Sequence, residues 1–236
     1  MTTHSIETIK AALELGKIEL KGQFMLGSNY TFLVHVSHAG EQYSAVYKPS
    51  KGEQPLWDFP ESTLAQREVA AYVMSEALGF CFVPFTVLRD DGPFGPGSLQ
   101  QYVEYNPEYH YFNFTKEDKA LLRPVVLFDL LINNADRKGS HVIFEDGTHK
   151  LWLIDHGLCF HEEDKLRTVL WDFAGGPIPD ELLARLSSTE SWRGILEPYL
   201  SPREITAMLA RARALLASRV FPRAPESRRA FPYPPI

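Results

Sequence analysis

Two acids on either side of a short apolar hairpin constrain this chain more than any other feature. Asp136 lies in Asn133-Asn134-Ala135-Asp136-Arg137-Lys138, directly after Val125 to Ile132, a run apolar enough to be buried on nearly all sides. Asp155 closes Leu151-Trp152-Leu153-Ile154, and a carboxylate just past a buried strand is costly unless it is paired or bound to a cation. Between the two acids, His141 to Phe144 and Lys150 to Ile154 read as a hairpin turning at Asp146-Gly147. A turn of Asn-Asn-Ala-Asp forms loops in any protein, and a lone Asp155 could cap a following turn. Together, with His141 between them, they imply a fold that brings two loop acids and an imidazole to one edge of a buried strand pair.

The chain ahead of Asp136 is β-rich with one inserted helix. Ser5 to Leu15 reads as a short amphipathic helix, followed by a strand-like segment running to Leu26. Thr31 to Val36 and Gln42 to Lys48 alternate as the arms of a hairpin, and Lys51 to Glu61 is a loop. Thr63 to Leu78 is a helix, with Thr63 and Gln66 expected to form a capping box and Gly79 to close its C-terminus. Val83 to Leu88 and Ser98 to Tyr105 are expected strands, separated by a turn over Asp90 to Gly97. After Tyr105 the pattern turns helical. Thr115 with Asp118 caps one helix and Pro124 interrupts it; Pro179 to Leu186, Glu190 to Tyr199 and Pro202 to Arg219 follow, the last opened by a Ser201–Glu204 capping box. Phe221 to Ile236 carries five prolines and is expected to be an extended, partly ordered tail. The expected class is α+β, with a β-rich unit over residues 1–104, a mainly helical unit over 105–220 and a Pro-rich tail over 221–236.

Composition narrows the function classes. A chain of 236 residues with net charge −6 has no excess of Lys and Arg for a dominant nucleic-acid surface. The two cysteines, Cys81 and Cys159, lie far apart between apolar neighbours and are expected to be buried, reduced thiols. The first residues lack the basic and apolar regions of a secretory signal, and no apolar run approaches the ~20 residues a bilayer span requires. The expectation is a cytoplasmic protein without membrane insertion.

These residue types suit phosphoryl transfer. One acid, Asp136, would orient an acceptor hydroxyl and take its proton; the other, Asp155, with His141, would hold a divalent metal on nucleotide phosphates. Arg137 would neutralise local charge or hold the loop. Imidazole is softer than an amide oxygen, so His141 suits Mn²⁺ or Zn²⁺ better than Mg²⁺, or it contacts phosphate or caps the loop. Lys48 ends a strand on the same face as Ser44 and Val46, from which it could reach phosphates, positioned by Glu68 of the capped helix. Gly27-Ser28-Asn29 would form a phosphate-covering turn.

At Tyr47-Lys48-Pro49, Arg67-Glu68, Gly97-Ser98-Leu99-Gln100, Asn134-Ala135-Asp136-Arg137-Lys138 and Ile154-Asp155-His156-Gly157-Leu158 the chain resembles the phosphatidylinositol 3- and 4-kinase-like superfamily, especially its small bacterial members and the type II lipid kinases. HipA-type protein kinases share the Asn-x-Asp-Arg element less closely. The resemblance implies a two-lobed protein-kinase-like fold binding ATP between its lobes with Mg²⁺ or Mn²⁺. Lys48 would grip phosphates, Glu68 would hold Lys48, Asp136 and Arg137 would be catalytic, Asp155 would bind metal, and Gln100, Tyr102 and Val103 would lie in a hinge segment against adenine. Two positions depart from the pattern: His141 stands where asparagine is usual, and His156 follows the metal-binding acid. Either departure would alter metal preference or mark a weakened enzyme. The acids of His161-Glu162-Glu163-Asp164-Lys165-Leu166-Arg167 count against phosphoinositide, leaving a soluble small molecule or a protein hydroxyl as acceptor. The alternatives are a degenerate kinase fold that binds nucleotide without turnover, or a metal-dependent hydrolase built from Asp136, His141, Asp155 and His156 on another fold.

Overall fold

A computed structural model describes residues 5–23, 30–54, 56, 59–60, 62–187, 189–227 and 229–236. Helix α1 (Ile6–Leu15), N-capped by Ser5, lays Ala12 and Leu13 against an antiparallel sheet. That sheet comprises β1 (Lys17–Gln23), β2 (Phe32–His38), β3 (Glu41–Pro49), β4 (Thr86–Gly92) and β5 (Gly95–Gln101), in the order β1-β2-β3-β5-β4. Alternation along β2 and β3 sends Val34, Val36, Tyr43, Ala45 and Tyr47 into one core and leaves Lys48 on the opposite face. Arg89, buried in β4, donates to the carbonyls of Leu13 and Gly16 and so ties the end of α1 to the sheet. Helix α2 (Leu64–Ala77) is inserted between β3 and β4.

Two further helices, α3 (Lys116–Ala120) and α4 (Arg123–Ile132), follow the sheet, then a two-stranded unit of β6 (Val142–Phe144) and β7 (Leu151–Leu153). Pro124 marks the break, sitting in the first turn of α4, where a missing N–H costs nothing. Helices α5 (Asp180–Arg185), α6 (Thr189–Leu196) and α7 (Pro202–Ser218) complete the chain. α4 is buried almost all round, in a core that also takes in Leu153, Trp192, Met208 and Leu215.

Several expectations are corrected. The β4–β5 hairpin extends through Asp90 to Gly97, leaving only Pro93 and Phe94 at the tip, because an irregularity between Arg89 and Gly92 lets pairing resume at Gly92–Gly95. Thr63 does not cap α2: its hydroxyl donates to the Pro60 carbonyl, and the Glu53 carboxylate instead accepts from the N–H groups of Leu64 and Ala65, where an anion meets the positive end of the helix. Cys81 is exposed, whereas Cys159 is buried, and both thiols are free. β1 ends at Gln23, and the expected turn at Gly27, Ser28 and Asn29 lies outside the described residues.

The Pro-rich segment is anchored at a few points, with most of its described residues exposed. Phe221 is buried and exchanges backbone hydrogen bonds with Gly175 and Gly176. The Ala230 carbonyl accepts from the Thr168 N–H and the Trp171 indole, and the Pro235 carbonyl accepts from the Gly139 N–H at 2.8 Å. Prolines lack N–H groups, so the segment adds no strand of its own, but its carbonyls satisfy donors on two loops that flank Asp136.

Candidate active site

β3 brings Lys48 to the face where α2, the loop after β7 and the Asp136 loop meet, the candidate cleft. β5 runs close beside it, since a side chain at Gly97 would place its Cβ 2.3 Å from the Lys48 carbonyl. The ammonium bonds Glu68 of α2 and reaches Asp155 Oδ1 at 2.9 Å. Burial pushes the Lys48 pKa down, but Asp155 and Glu68 more than offset this and hold it above the ordinary lysine range. Burial would raise the Asp155 pKa; Lys48 and His141 outweigh it and hold the carboxyl well below the usual range. Its side chain is 48% exposed, which weakens the opposing effect of burial and leaves the ion pair to set the direction. Asp155 adopts a left-handed backbone, φ 61°, a conformation that Asp tolerates better than most residues and that collects at functional sites.

Glu68 is fixed from a second side. Its other oxygen accepts from the His156 backbone N–H at 2.9 Å. One residue earlier in α2, buried Arg67 donates to the Cys159 carbonyl at 2.5 Å and pairs with Glu204 of α7. The helix presenting Glu68 is thereby tied to the segment after Asp155 and to the helical half of the molecule.

α4 ends at Asn133 in a left-handed turn, φ 55°, and delivers the Asp136 loop. Asn133 donates to the carbonyls of His161 and Glu163 and accepts from the Lys165 N–H. Asn134 accepts from the Asp136 N–H at 2.9 Å and donates to Asp129. Asp136 itself is only partly buried, with Lys138 Nζ 3.4 Å from Oδ2. Burial lifts its pKa to about 6; Lys138 and Arg167 pull it down, and Asp155 pushes it up. Such a carboxyl is charged at neutral pH yet basic enough to take a proton.

Arg137 does not face the cleft. Its guanidinium is completely buried, grips Asp129 through two nitrogens, and donates to the carbonyls of His141 (3.1 Å) and Ile154 (3.0 Å). Nη2, one of the two nitrogens on Asp129, also lies 2.9 Å from His156 Nε2. Guanidinium only donates, so Nε2 accepts and the imidazole proton resides on Nδ1, which faces Glu68 at 3.9 Å without a hydrogen bond. Burial, reinforced by Arg137, keeps His156 neutral. Arg137 and His156 therefore position the loops that bear Asp155 and His141.

His141 Nε2 lies 3.2 Å from Asp155 Oδ2, and its buried Nδ1 has no partner. Burial lowers its pKa to about 4, leaving a neutral imidazole at physiological pH. Neutral imidazole and ionised carboxylate are metal-ligand forms, and two adjacent ligands of a six-coordinate cation stand roughly 3 Å apart. His141 and Asp155 fit a divalent ion. Among the described residues no three His, Cys, Asp or Glu gather as an all-protein cage.

The expected hinge residues divide. Gln100 is buried in β5 and its amide donates to Thr86 Oγ1 at 2.8 Å. The Tyr102 N–H bonds the Ser44 carbonyl on one side, while the Glu104 carbonyl accepts from Asp146 on the other, so this stretch crosses between the two sheets. Val103 is buried with Ile143 and Trp152 in a small apolar cluster against the β6–β7 unit. Asp129, Asn133, Arg67 and Arg167 are given no role by the sequence alone. Asp129 alone had a signal, as an acid on an otherwise apolar helix face that must find a cation.

No protein-family model matches the chain. Its fold is shared with the Helicobacter pylori proinflammatory kinase CtkA (TM-score 0.55, 13% identity, covering 88% of this chain and 94% of CtkA). Hydra Fam20, solved with sugar, superposes with a TM-score of 0.59 at 14% identity, covering 92% of this chain and 89% of Fam20. The fold is thus kinase-like, with a β-rich lobe and a mainly helical one. In sequence it is 37% identical to Protein Rv2133c of Mycobacterium tuberculosis (strain ATCC 25618 / H37Rv) over 265 aligned residues, covering 95% of this chain and 94% of that protein. At that identity and coverage, the chain belongs to the family of Rv2133c.

Proposed function

We propose that the protein is an ATP-dependent phosphotransferase of the phosphatidylinositol 3/4-kinase-like type, passing the γ-phosphoryl group to a hydroxyl of a soluble small molecule or protein. The observation that carries this is the Lys48 ammonium held between Glu68 and Asp155, with Asp136, a carboxyl whose pKa is lifted to about 6, close enough to feel the Asp155 charge. A hydrolase on another fold would leave Lys48 without a role, and the kinase-like fold removes its premise. The division at residue 104 belongs to the same proposal. It is supported by the opposed anchoring of Tyr102 to Ser44 and of Glu104 to Asp146.

In this reading Lys48 binds phosphate oxygens, Glu68 fixes its ammonium, and Asp136 accepts the hydroxyl proton as the new bond forms. Lys138 pairs with Asp136 and so helps set the basicity of that carboxyl. Asp155 and His141 would hold Mg²⁺ or Mn²⁺, which supplies charge neutralisation at the phosphates.

The test is binding and turnover together. Calorimetry with a non-hydrolysable ATP analogue and Mn²⁺ should give a one-to-one complex that Lys48→Met weakens at least tenfold, and labelled ATP should be consumed by wild type alone. Binding with no consumption under any metal would favour the degenerate kinase fold. His141→Asn should move metal-dependent analogue affinity toward Mg²⁺, because a harder oxygen donor replaces imidazole. Unchanged affinity ratios for Mn²⁺ and Mg²⁺ would make His141 a structural residue.

A further inference from the structure

The segment after Asp155 returns to the catalytic loop and zips onto it. The Arg167 N–H bonds the Asn134 carbonyl at 2.9 Å, the Arg137 N–H bonds the Arg167 carbonyl at 3.0 Å, and the Val169 N–H bonds the Arg137 carbonyl at 3.1 Å. Arg137 and Thr168 are thus partners in a parallel bridge. In such a pairing the residues preceding each partner lie side by side and project to the opposite face. Arg137 and Thr168 both point into the interior, at 0% and 3% exposure. Asp136 and Arg167, each half-buried, therefore share the cleft face. The influence of Arg167 on the Asp136 carboxyl agrees with that register.

Neighbouring cations are engaged elsewhere. Arg137 is committed to Asp129, Lys138 to Asp136 and Lys165 to Glu163 at 3.0 Å. Among the described residues, the Arg167 guanidinium has no ion pair or side-chain hydrogen bond. The acids that dominate this segment in sequence do not neutralise it: Glu163 takes Lys165, and Asp164 accepts from the Leu166 N–H. The backbone of Arg167 is held on both sides, by the catalytic loop and, through Thr168 and Trp171, by the Ala230 carbonyl. A half-buried cation on a fixed backbone feels the Asp136 carboxylate but, among the described residues, bonds no anion, and so is placed to receive one. Its planar fork matches carboxylate or phosphate oxygens.

We propose that Arg167 is the acceptor-binding residue of this site, and that the acceptor is an anion carrying a phosphate or carboxylate close to the hydroxyl it presents to Asp136. This rests on the phosphotransferase reading and narrows its acceptor class. A neutral polyol or an uncharged peptide serine would leave Arg167 unpaired.

The experiment uses full-length protein saturated with a non-hydrolysable ATP analogue and Mn²⁺, titrated with inorganic phosphate and, separately, acetate, at ionic strength held constant with chloride. Phosphate or acetate should bind the wild-type complex in the millimolar range. Arg167→Gln should weaken that binding at least tenfold, and Arg167→Lys, which keeps the charge but loses the fork, should fall between the two. Analogue affinity should stay the same in all three, and whichever anion binds tighter identifies the acceptor's charged group. Equal anion binding in wild type and Arg167→Gln, or no anion binding to either complex, overturns the proposal. So does an Arg167→Gln variant that loses analogue affinity, which would assign the guanidinium to the nucleotide. Failure of wild type to bind the analogue at all removes the phosphotransferase reading itself, a result distinct from these.

Discussion

Asp136→Asn is expected to abolish transfer while making the protein harder to melt. Removing a general base costs about 10²- to 10⁴-fold in rate, and asparagine keeps the shape of aspartate without its proton affinity. Nucleotide affinity should stay within about threefold, because Lys48, Glu68 and Asp155 are untouched. The stability gain follows from the sign of the pKa shift. Burial raises the folded carboxyl to about 6, above its value in the unfolded chain. Its contribution to stability is present below about pH 4 and lost as pH rises through 6, so at pH 7.5 the folded state carries a charge it disfavours. A shift of roughly two units corresponds to an upper figure of about 3 kcal/mol, and partial exposure reduces it. A rise of ~2–8 °C in melting temperature is expected for a chain of this size. The same shift predicts that kcat/KM of wild type falls below pH 6 as Asp136 takes up a proton, and that Lys138→Met moves this limb to higher pH by removing a cation. An active Asp136→Asn variant, or one that melts lower at pH 7.5 than wild type, would contradict the assignment.

Local signals fixed the elements that bring this site together, and long-range partners decided the rest. Lys48 was legible because alternation along β3 assigns faces without knowledge of the neighbours, and β3 pairs with β5 in a register that keeps that face open. The Ser201 capping box and the Pro124 break were equally local and are found as expected. Thr63 carries the same cap signature and does not act on it, since Glu53, from the preceding loop, supplies both acceptors to the helix N-terminus. Arg137 shows the difficulty most clearly. Its neighbours Asp136 and Lys138 face the cleft, and its sequence context reads as catalytic, yet the strand-like backbone turns it inward onto Asp129. Sequence position gives the alternation; only the packing gives its phase. The same phase, carried across the bridge to Thr168, brings Arg167 into the cleft from a segment whose sequence is acidic.

Arg137→Leu should destabilise the fold more than any change in the cleft. The substitution leaves the Asp129 carboxylate buried with only Asn134 beside it, and strips donors from the carbonyls of His141 and Ile154 and from His156 Nε2. Breaking one side of a buried ion pair costs about 3–5 kcal/mol, because the remaining charge is uncompensated. For a chain of this size that corresponds to a loss of roughly 6–20 °C in melting temperature. If uncompensated charge is the cause, Asp129→Leu combined with Arg137→Leu should be more stable than Arg137→Leu alone by ~1–3 kcal/mol, a coupling readable from a double-mutant cycle in urea. Activity should not return with stability. The carbonyls that Arg137 holds belong to His141 and to the residue before Asp155, so the double variant should fold yet bind the metal–analogue complex at least tenfold more weakly than wild type. A double variant that recovers both stability and metal-dependent affinity would mean that the loops keep their positions without the guanidinium, and that its burial serves the fold alone.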